Sequence, residues 1–341
     1  MCIRDRFASE RLKGMSASSV LIDIKSGDIL SLVSTPSYNP NNFVLGISQS
    51  DWNALLNDER KPLLNKATSG AYPPGSTFKM VVAAAALELG LIGLNDKIFC
   101  AGFYELGSRK FHCWLKGGHG KLTLQEGIQK SCDVYFYELA RKVGVKRIGD
   151  MARRLGLGQA YDLPLTGLSK GFVPTKKWKK ERFGTSWLVG DTLNVGIGQG
   201  FSLATPLQLA VMTARLASGK EVTPNIIKNP NKNVGDPKAL SIKENTLVAI
   251  RKGMFNVLNE KEGTAFNFRT TDKNFLIAGK TGTSQVRRIS REEREEGVIK
   301  NEDLPWKMRD HALFTCFAPY KNPKYALSVV VEHGGLSLIH I

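Results

Sequence analysis

The sequence has no run of eighteen or more apolar residues, so nothing in it reads as a helix that crosses a membrane. Its longest candidate, Met80 to Leu94, is broken by Glu88 and two glycines and reads as a buried helix. Met1 to Arg6 carries basic residues with no apolar segment behind them, which excludes a signal peptide there. Cysteine is scarce, five in 341 residues, too few for a small disulfide scaffold. Acidic residues are outnumbered, 31 against 48 Lys and Arg, and the net charge of +17 attracts nucleic acid, anionic headgroups or an anionic polymer alike. The basic clusters Lys176 to Lys180 and Arg287 to Arg291 hold at most one aromatic each, and no zinc-finger spacing surrounds them. They read as solvated basic faces, and no nucleic acid partner is expected. No internal repeat is visible. With 42% apolar residues, the chain has enough material for one large domain or two smaller ones.

The first clear element is a hairpin over Ser19 to Ser34, two β-rich runs flanking Lys25-Ser26-Gly27-Asp28. After a Pro- and Asn-rich loop the pattern turns helical from about Asp51 to Leu216, punctuated by glycines. Strand-like runs return at Asn274 to Ala278, Ala312 to Phe317 and Tyr325 to Val331. The expected fold class is α+β, one antiparallel sheet built from both chain ends with a large helical region against it. Residues 1–15 read as a residual or foreign tail that leads into nothing structured, residues 16–335 as the domain, and residues 336–341 as a foreign tail. The charged stretch Gln285 to Asp310 reads as a solvated loop or short helix beside the last strands.

Three short motifs stand in one order: Ser76-Thr77-Phe78-Lys79, Ser131-Cys132-Asp133 and Lys280-Thr281-Gly282-Thr283. Tyr72-Pro73-Pro74-Gly75 breaks the chain just before Ser76, and a helix-forming run follows from Phe78, which places Ser76 at a helix start with Lys79 one turn along. Alone, Ser76 would be a helix cap and Lys79 a surface lysine; the ordered trio favours chemistry. A serine hydroxyl becomes a nucleophile when a base takes its proton, and a lysine serves once burial and a second cation have pushed its pKa down. Lys280 is the expected second cation and Ser131 the hydroxyl relay between the two. Lys280 and Thr283 are placed to hold a substrate carboxylate. Gly282 leaves room for a ligand against the backbone, and the N–H groups of Ser76 and Thr283 are the candidate oxyanion donors.

These motifs, with Ser34-Thr35-Pro36-Ser37-Tyr38-Asn39-Pro40-Asn41, Asn65 to Ser76, Gly117-Gly118-His119-Gly120, Gly190 to Gly200 and Ala278 to Ser284, resemble those of class B penicillin-binding proteins from about Ser16 to Gly335. Asp133, where many relatives carry Asn, resembles the elongation branch of that family. The resemblance implies a β-lactamase/transpeptidase-like fold and a peptidoglycan D,D-transpeptidase that works through an acyl-enzyme on Ser76. It implies Lys79, Ser131, Asp133 and Lys280 as catalytic residues and Thr281, Gly282 and Thr283 as substrate-binding residues. Stem peptides and β-lactams are the implied ligands, a membrane glycosyltransferase of the shape and elongation family the implied partner, and no cofactor is needed. The implied location is periplasmic, on an inner-membrane anchor that lies outside this sequence. Two rivals share the motifs: a β-lactamase, which hydrolyses its acyl-enzyme, and a β-lactam-sensing domain, in which acylation only signals.

Cys2 lies in the opening tail and Cys316 in an apolar strand, where a buried thiol is expected. Cys100, Cys113 and Cys132, with His112 and His119 nearby, match no strong zinc spacing. Free buried thiols are the first reading there; a Cys100–Cys113 disulfide or a metal on Cys113 and His119, as the resemblance implies for some relatives, comes second.

Overall fold

The computed structural model describes residues 2–227, 237–290, 292–293 and 297–335. The chain opens with helix α1 (Cys2–Arg11), then strands β1 (Ala17–Asp23) and β2 (Ile29–Thr35), helix α2 (Gln49–Asn57) and helix α3 (Lys79–Glu88). Four short strands follow, β3 (Ile98–Cys100), β4 (Phe103–Leu106), β5 (Arg109–His112) and β6 (Gly120–Leu122). Helices α4 (Leu124–Gln129), α5 (Asp133–Val143), α6 (Val145–Arg154), α7 (Lys176–Phe183), α8 (Val189–Gly196), α9 (Pro206–Ser218) and α10 (Glu244–Asn259) lead to β7 (Ala278–Ser284), β8 (His311–Ala318) and β9 (Tyr325–Val331). Among the described residues, no helix is long and apolar enough to cross a membrane.

The main sheet has the order β2-β1-β9-β8-β7, antiparallel throughout. It is the sheet expected from both chain ends: β1 pairs on one side with β2, six residues later, and on the other with β9, Ala17 lying opposite Val331. Strand β2 alternates buried and half-buried positions, as a strand with one face on a core does. Helix α9 lies across the sheet and is buried from Pro206 to Ala217. Thr205 and Gln208 cap its N-terminus reciprocally, and Gly219 ends it in the left-handed conformation. Ser328 of β9 ties down its first turn by donating to the Pro206 carbonyl at 2.6 Å. Helix α3 sits deeper still, with every residue from Lys79 to Ala86 buried. Full burial of a side chain such as Met80 or Val81 stabilises by roughly 1.5–3 kcal/mol, so an apolar surround grips the helix that carries Lys79.

Three expectations need correction. The helical middle is interrupted by the β3/β6 and β4/β5 pairs, whose strands of three or four residues are too short to show alternation. The strand expected at Asn274 to Ala278 begins only at Ala278, because Asp272 makes a turn there: its side chain accepts from Asn274 N at 2.9 Å and its carbonyl from Phe275 N at 3.1 Å. Residues 2–11 are not structureless but helical. Strand β2 is a sheet edge whose backbone groups need partners, and α1 supplies them: Arg4 Nε donates to Leu30 O at 2.8 Å and Leu32 N donates to Asp5 Oδ1 at 3.1 Å. Leu12 completes a small second core with Ala17, Val33, Val329 and Val331. The charged stretch is, as expected, a loop, with two short 3-10 turns and a bidentate Arg287–Glu293 pair; Arg291 and residues 294–296 lie outside the described residues, as do 336–341.

Candidate active site

Ser76 lies in a 3-10 turn, Gly75 to Phe78, that runs directly into α3. Two glycines make that turn possible. Gly75 has φ +53°, and a Cβ on it would fall 2.5 Å from the Thr283 carbonyl oxygen. Gly198, which accepts from Gly75 N at 2.8 Å, has φ +70°, and its Cβ would fall 2.1 Å from the Gly75 oxygen. The turn is thus pressed between β7 and the loop after α8. Gly75, Thr77, Phe78 and Lys79 are all buried, and Ser76 alone in this run is partly open. Upstream, Tyr72 fastens the loop by donating to Glu332 at 2.8 Å, an acid that also accepts from Ser16 at 2.5 Å.

The second motif meets the first. Lys79 Nζ donates to Asp133 Oδ1 at 2.7 Å, to the Ser131 carbonyl at 2.8 Å and to Ser131 Oγ at 3.3 Å. Asp133 is the first residue of α5, where the helix N-terminus favours a carboxylate. Ser131 has φ +52°, a left-handed conformation that few residues other than glycine adopt. From β7, Lys280 Nζ donates to the same Ser131 Oγ at 2.8 Å and to the Thr281 carbonyl at 2.9 Å. Two amines therefore share one hydroxyl. Lys280 is the amine pushed well below the usual 10.5: burial disfavours its charged form first, and the Lys79 charge second, against a smaller opposing pull from Asp133. This modifies the expectation from sequence, which made Lys280 a second cation acting on Lys79.

Among the described residues, strand β7 is an edge of the sheet, paired with β8 alone. The Thr281 and Thr283 carbonyls accept from Lys280 Nζ and from Gln199 Nε2 (2.9 Å), neither of which belongs to β8. By the alternation of an antiparallel strand, the Thr283 N–H shares that open side. Thr283 is half-buried, whereas Thr281 is buried with its hydroxyl 2.9 Å from that of Thr264. Gly282 does not open a path for a ligand: a Cβ there would lie 3.0 Å from the Thr77 methyl and 3.3 Å from the Pro74 carbonyl, so the missing side chain lets the Ser76 turn approach β7. Gln199 and Trp114, whose backbone N donates to Asp133 Oδ2 at 3.0 Å, were not singled out from sequence. Only the contacts reveal them.

Beside the Ser131 motif, Cys100, Cys113, His119 and Cys132 bring their ligand atoms within 4.8 Å of one another. Cys100 and Cys113 Sγ lie 3.7 and 3.6 Å from His119 Nδ1. Tetrahedral zinc with ordinary Zn–S and Zn–N bonds separates such ligands by roughly 3.5–3.8 Å. All three thiols are buried and none is joined in a disulfide. Their gathering goes further. Hydrogen bonds from Cys132 and then His119, against the opposing effect of burial, push Cys113 down toward the thiolate form a metal needs, while the Cys132 thiol is pushed up by its bond to Cys113. The four residues fit a zinc ion, which would serve there as a structural tie between the β3–β6 region and the start of α5.

A half-open serine on a buried turn, a lysine one turn on and a second lysine sharing a serine hydroxyl with it form a site for serine acyl transfer, set between a helical block and the edge of an antiparallel sheet. The chain belongs to the penicillin binding protein transpeptidase domain family, whose model matches residues 17–338. It is 38% identical over 97% of its length to the peptidoglycan D,D-transpeptidase MrdA of Haemophilus influenzae, covering 52% of that protein. It is 37% identical over 95% of its length to MrdA of Escherichia coli, again covering 52%. Among solved structures it resembles the penicillin-binding protein PBP2 of Helicobacter pylori in complex with MreC, with TM-score 0.88, 37% identity, and coverage of 98% of this chain and 60% of that one. It also resembles Pseudomonas aeruginosa PBP2 in complex with WCK 5153, with TM-score 0.86, 36% identity, and coverage of 98% and 73%. The chain spans about half the length of the curated relatives it matches.

Proposed function

We propose that this chain is the catalytic part of a peptidoglycan D,D-transpeptidase of cell elongation and a target of β-lactams. The observation that carries the reading is the shared hydroxyl, Ser131 Oγ, 2.8 Å from Lys280 Nζ and 3.3 Å from Lys79 Nζ, the lysine one turn after the partly open Ser76.

The reaction runs in two halves. Ser76 Oγ attacks the carbonyl before the terminal D-alanine of one stem peptide, its proton passing to Lys79. The N–H groups of Ser76 and Thr283 hold the oxyanion. The C–N bond breaks, D-alanine leaves with a proton delivered through Ser131, and the acyl group stays on Ser76. An amine of a neighbouring strand then attacks the ester, gives up its proton along the same route and restores Ser76. Lys79 accepts a proton only after releasing its own, and Ser131 connects it to Lys280, whose charged form burial disfavours. A substrate carboxylate held by Thr283 beside Lys280 favours the charged form of Lys280. Substrate binding therefore draws a proton from Lys79 through Ser131 and arms the base.

The setting of this reading is a periplasmic domain on an inner-membrane anchor, partnered by a membrane glycosyltransferase of the shape and elongation family; the complex of the Helicobacter pylori protein with MreC supports a partner of that kind as well. The +17 charge suits an anionic wall polymer. The test is to supply a synthetic stem pentapeptide and follow D-alanine release and cross-linked dimer by mass spectrometry. Release with dimer, lost in Ser76→Ala, is expected. Rapid turnover of a cephalosporin without dimer would identify a β-lactamase instead.

A further inference from the structure

We infer that Trp114 is a positioning residue for the second substrate, the stem peptide that brings the incoming amine. The inference rests on the transpeptidase reading.

Because attack by the acceptor is the reverse in kind of departure of D-alanine, both amines exchange their proton with one carrier and approach from its side. That carrier is the Ser131 hydroxyl. The donor peptide has β7 as its edge, with Thr283 on the open side. Away from β7, Ser131 is flanked by Lys130 and by the start of α5, both of which the loop after β5 contacts, and the large aromatic exposed in that loop is Trp114, 59% exposed.

Its anchoring is unusual for a surface side chain. The indole Nε1 donates to the Lys130 carbonyl at 3.1 Å, one residue before Ser131. The backbone N donates at 3.0 Å to the Asp133 oxygen that Lys79 leaves free. The ring packs edge-on against His119 at 5.2 Å. With its polar atom satisfied inside the protein, the exposed part of the indole is apolar. Leu115, 37% exposed, and exposed Lys116 follow it in the chain, adding an aliphatic group and a cation. An aromatic face, an aliphatic neighbour and a positive charge suit a short peptide with alanyl methyl groups and carboxylates.

The experiment uses the purified chain, a thioester acyl donor, and as acceptor a synthetic stem tetrapeptide with a free amine at its third residue. The partition of the acyl-enzyme between transfer and hydrolysis is measured for wild type, Trp114→Ala, Trp114→Phe and Trp114→Gln. In Trp114→Ala the transfer share should fall about tenfold more than the acylation rate does, and Trp114→Phe should recover most of it. Trp114→Gln keeps a donor for the Lys130 carbonyl but no aromatic face, and should behave as Ala does. An unchanged partition in Gln, or equal losses in acylation and transfer, would overturn the inference. Failure of the transpeptidase reading shows separately, as a wild-type chain that fluorescent penicillin does not label.

Discussion

Ser131 offers a test in which chemistry and backbone strain point in opposite directions. Its φ of +52° places a side-chain-bearing residue in the left-handed region, at a steric cost of about 1–2 kcal/mol. Ser131→Gly removes that cost but adds freedom to the unfolded chain, worth about 0.5–1 kcal/mol in the other direction. Ser131→Ala keeps the steric cost. Both lose the hydroxyl shared by Lys79 and Lys280, so hydrogen-bond losses cancel in the comparison. The glycine variant should be the more stable of the two by about 0.5–1 kcal/mol in urea denaturation. Both should acylate with a fluorescent penicillin about 10²- to 10⁴-fold more slowly than wild type, the usual worth of a positioned proton carrier. Wild-type acylation in Ser131→Gly would refute the relay. Equal stability of Gly and Ala would refute the strain.

Further outcomes follow from the same geometry. Lys280 has a folded pKa below its unfolded 10.5, so between those values the unfolded chain binds the extra proton and stability rises with pH. Lys280→Met should remove that rise, and parallel pH slopes for wild type and variant in urea melts between about pH 7 and 10 would contradict it. Gly198→Ala sets a Cβ 2.1 Å from the Gly75 carbonyl and forces the Ser76 turn to shift, so penicillin acylation should slow at least about tenfold while the circular dichroism spectrum stays native. Protein purified without chelator or reductant should contain close to one zinc per chain, lowered by Cys113→Ser; content far below one in the wild type would leave the cluster as free thiols.

What the sequence disclosed was what depends on local order. The hairpin of β1 and β2 and the strands β8 and β9 show in runs of β-branched and apolar residues, and their burial follows that pattern. The three motifs were legible because each is short and contiguous. Relations among separate segments were not. Cys100, Cys113, His119 and Cys132 come from a strand end, two loops and a helix cap, so no spacing announces them. The amine whose charged form burial disfavours depends on which lysine the sheet encloses. Gly282 looks like an opening for a ligand until Thr77 and Pro74 are seen against it. Helix α1 shows no apolar run because it is held largely through polar contacts to the β2 edge.

The central claim is that Ser76 becomes the acylated atom and that Lys79 arms it. The direct measurement is to incubate the chain with a fluorescent penicillin, digest it, and locate the adduct by mass spectrometry in wild type, Ser76→Ala and Lys79→Ala. The account predicts one long-lived adduct on the peptide containing Ser76 in wild type, and none in either variant. An adduct elsewhere, or full labelling of folded Lys79→Ala, would contradict it.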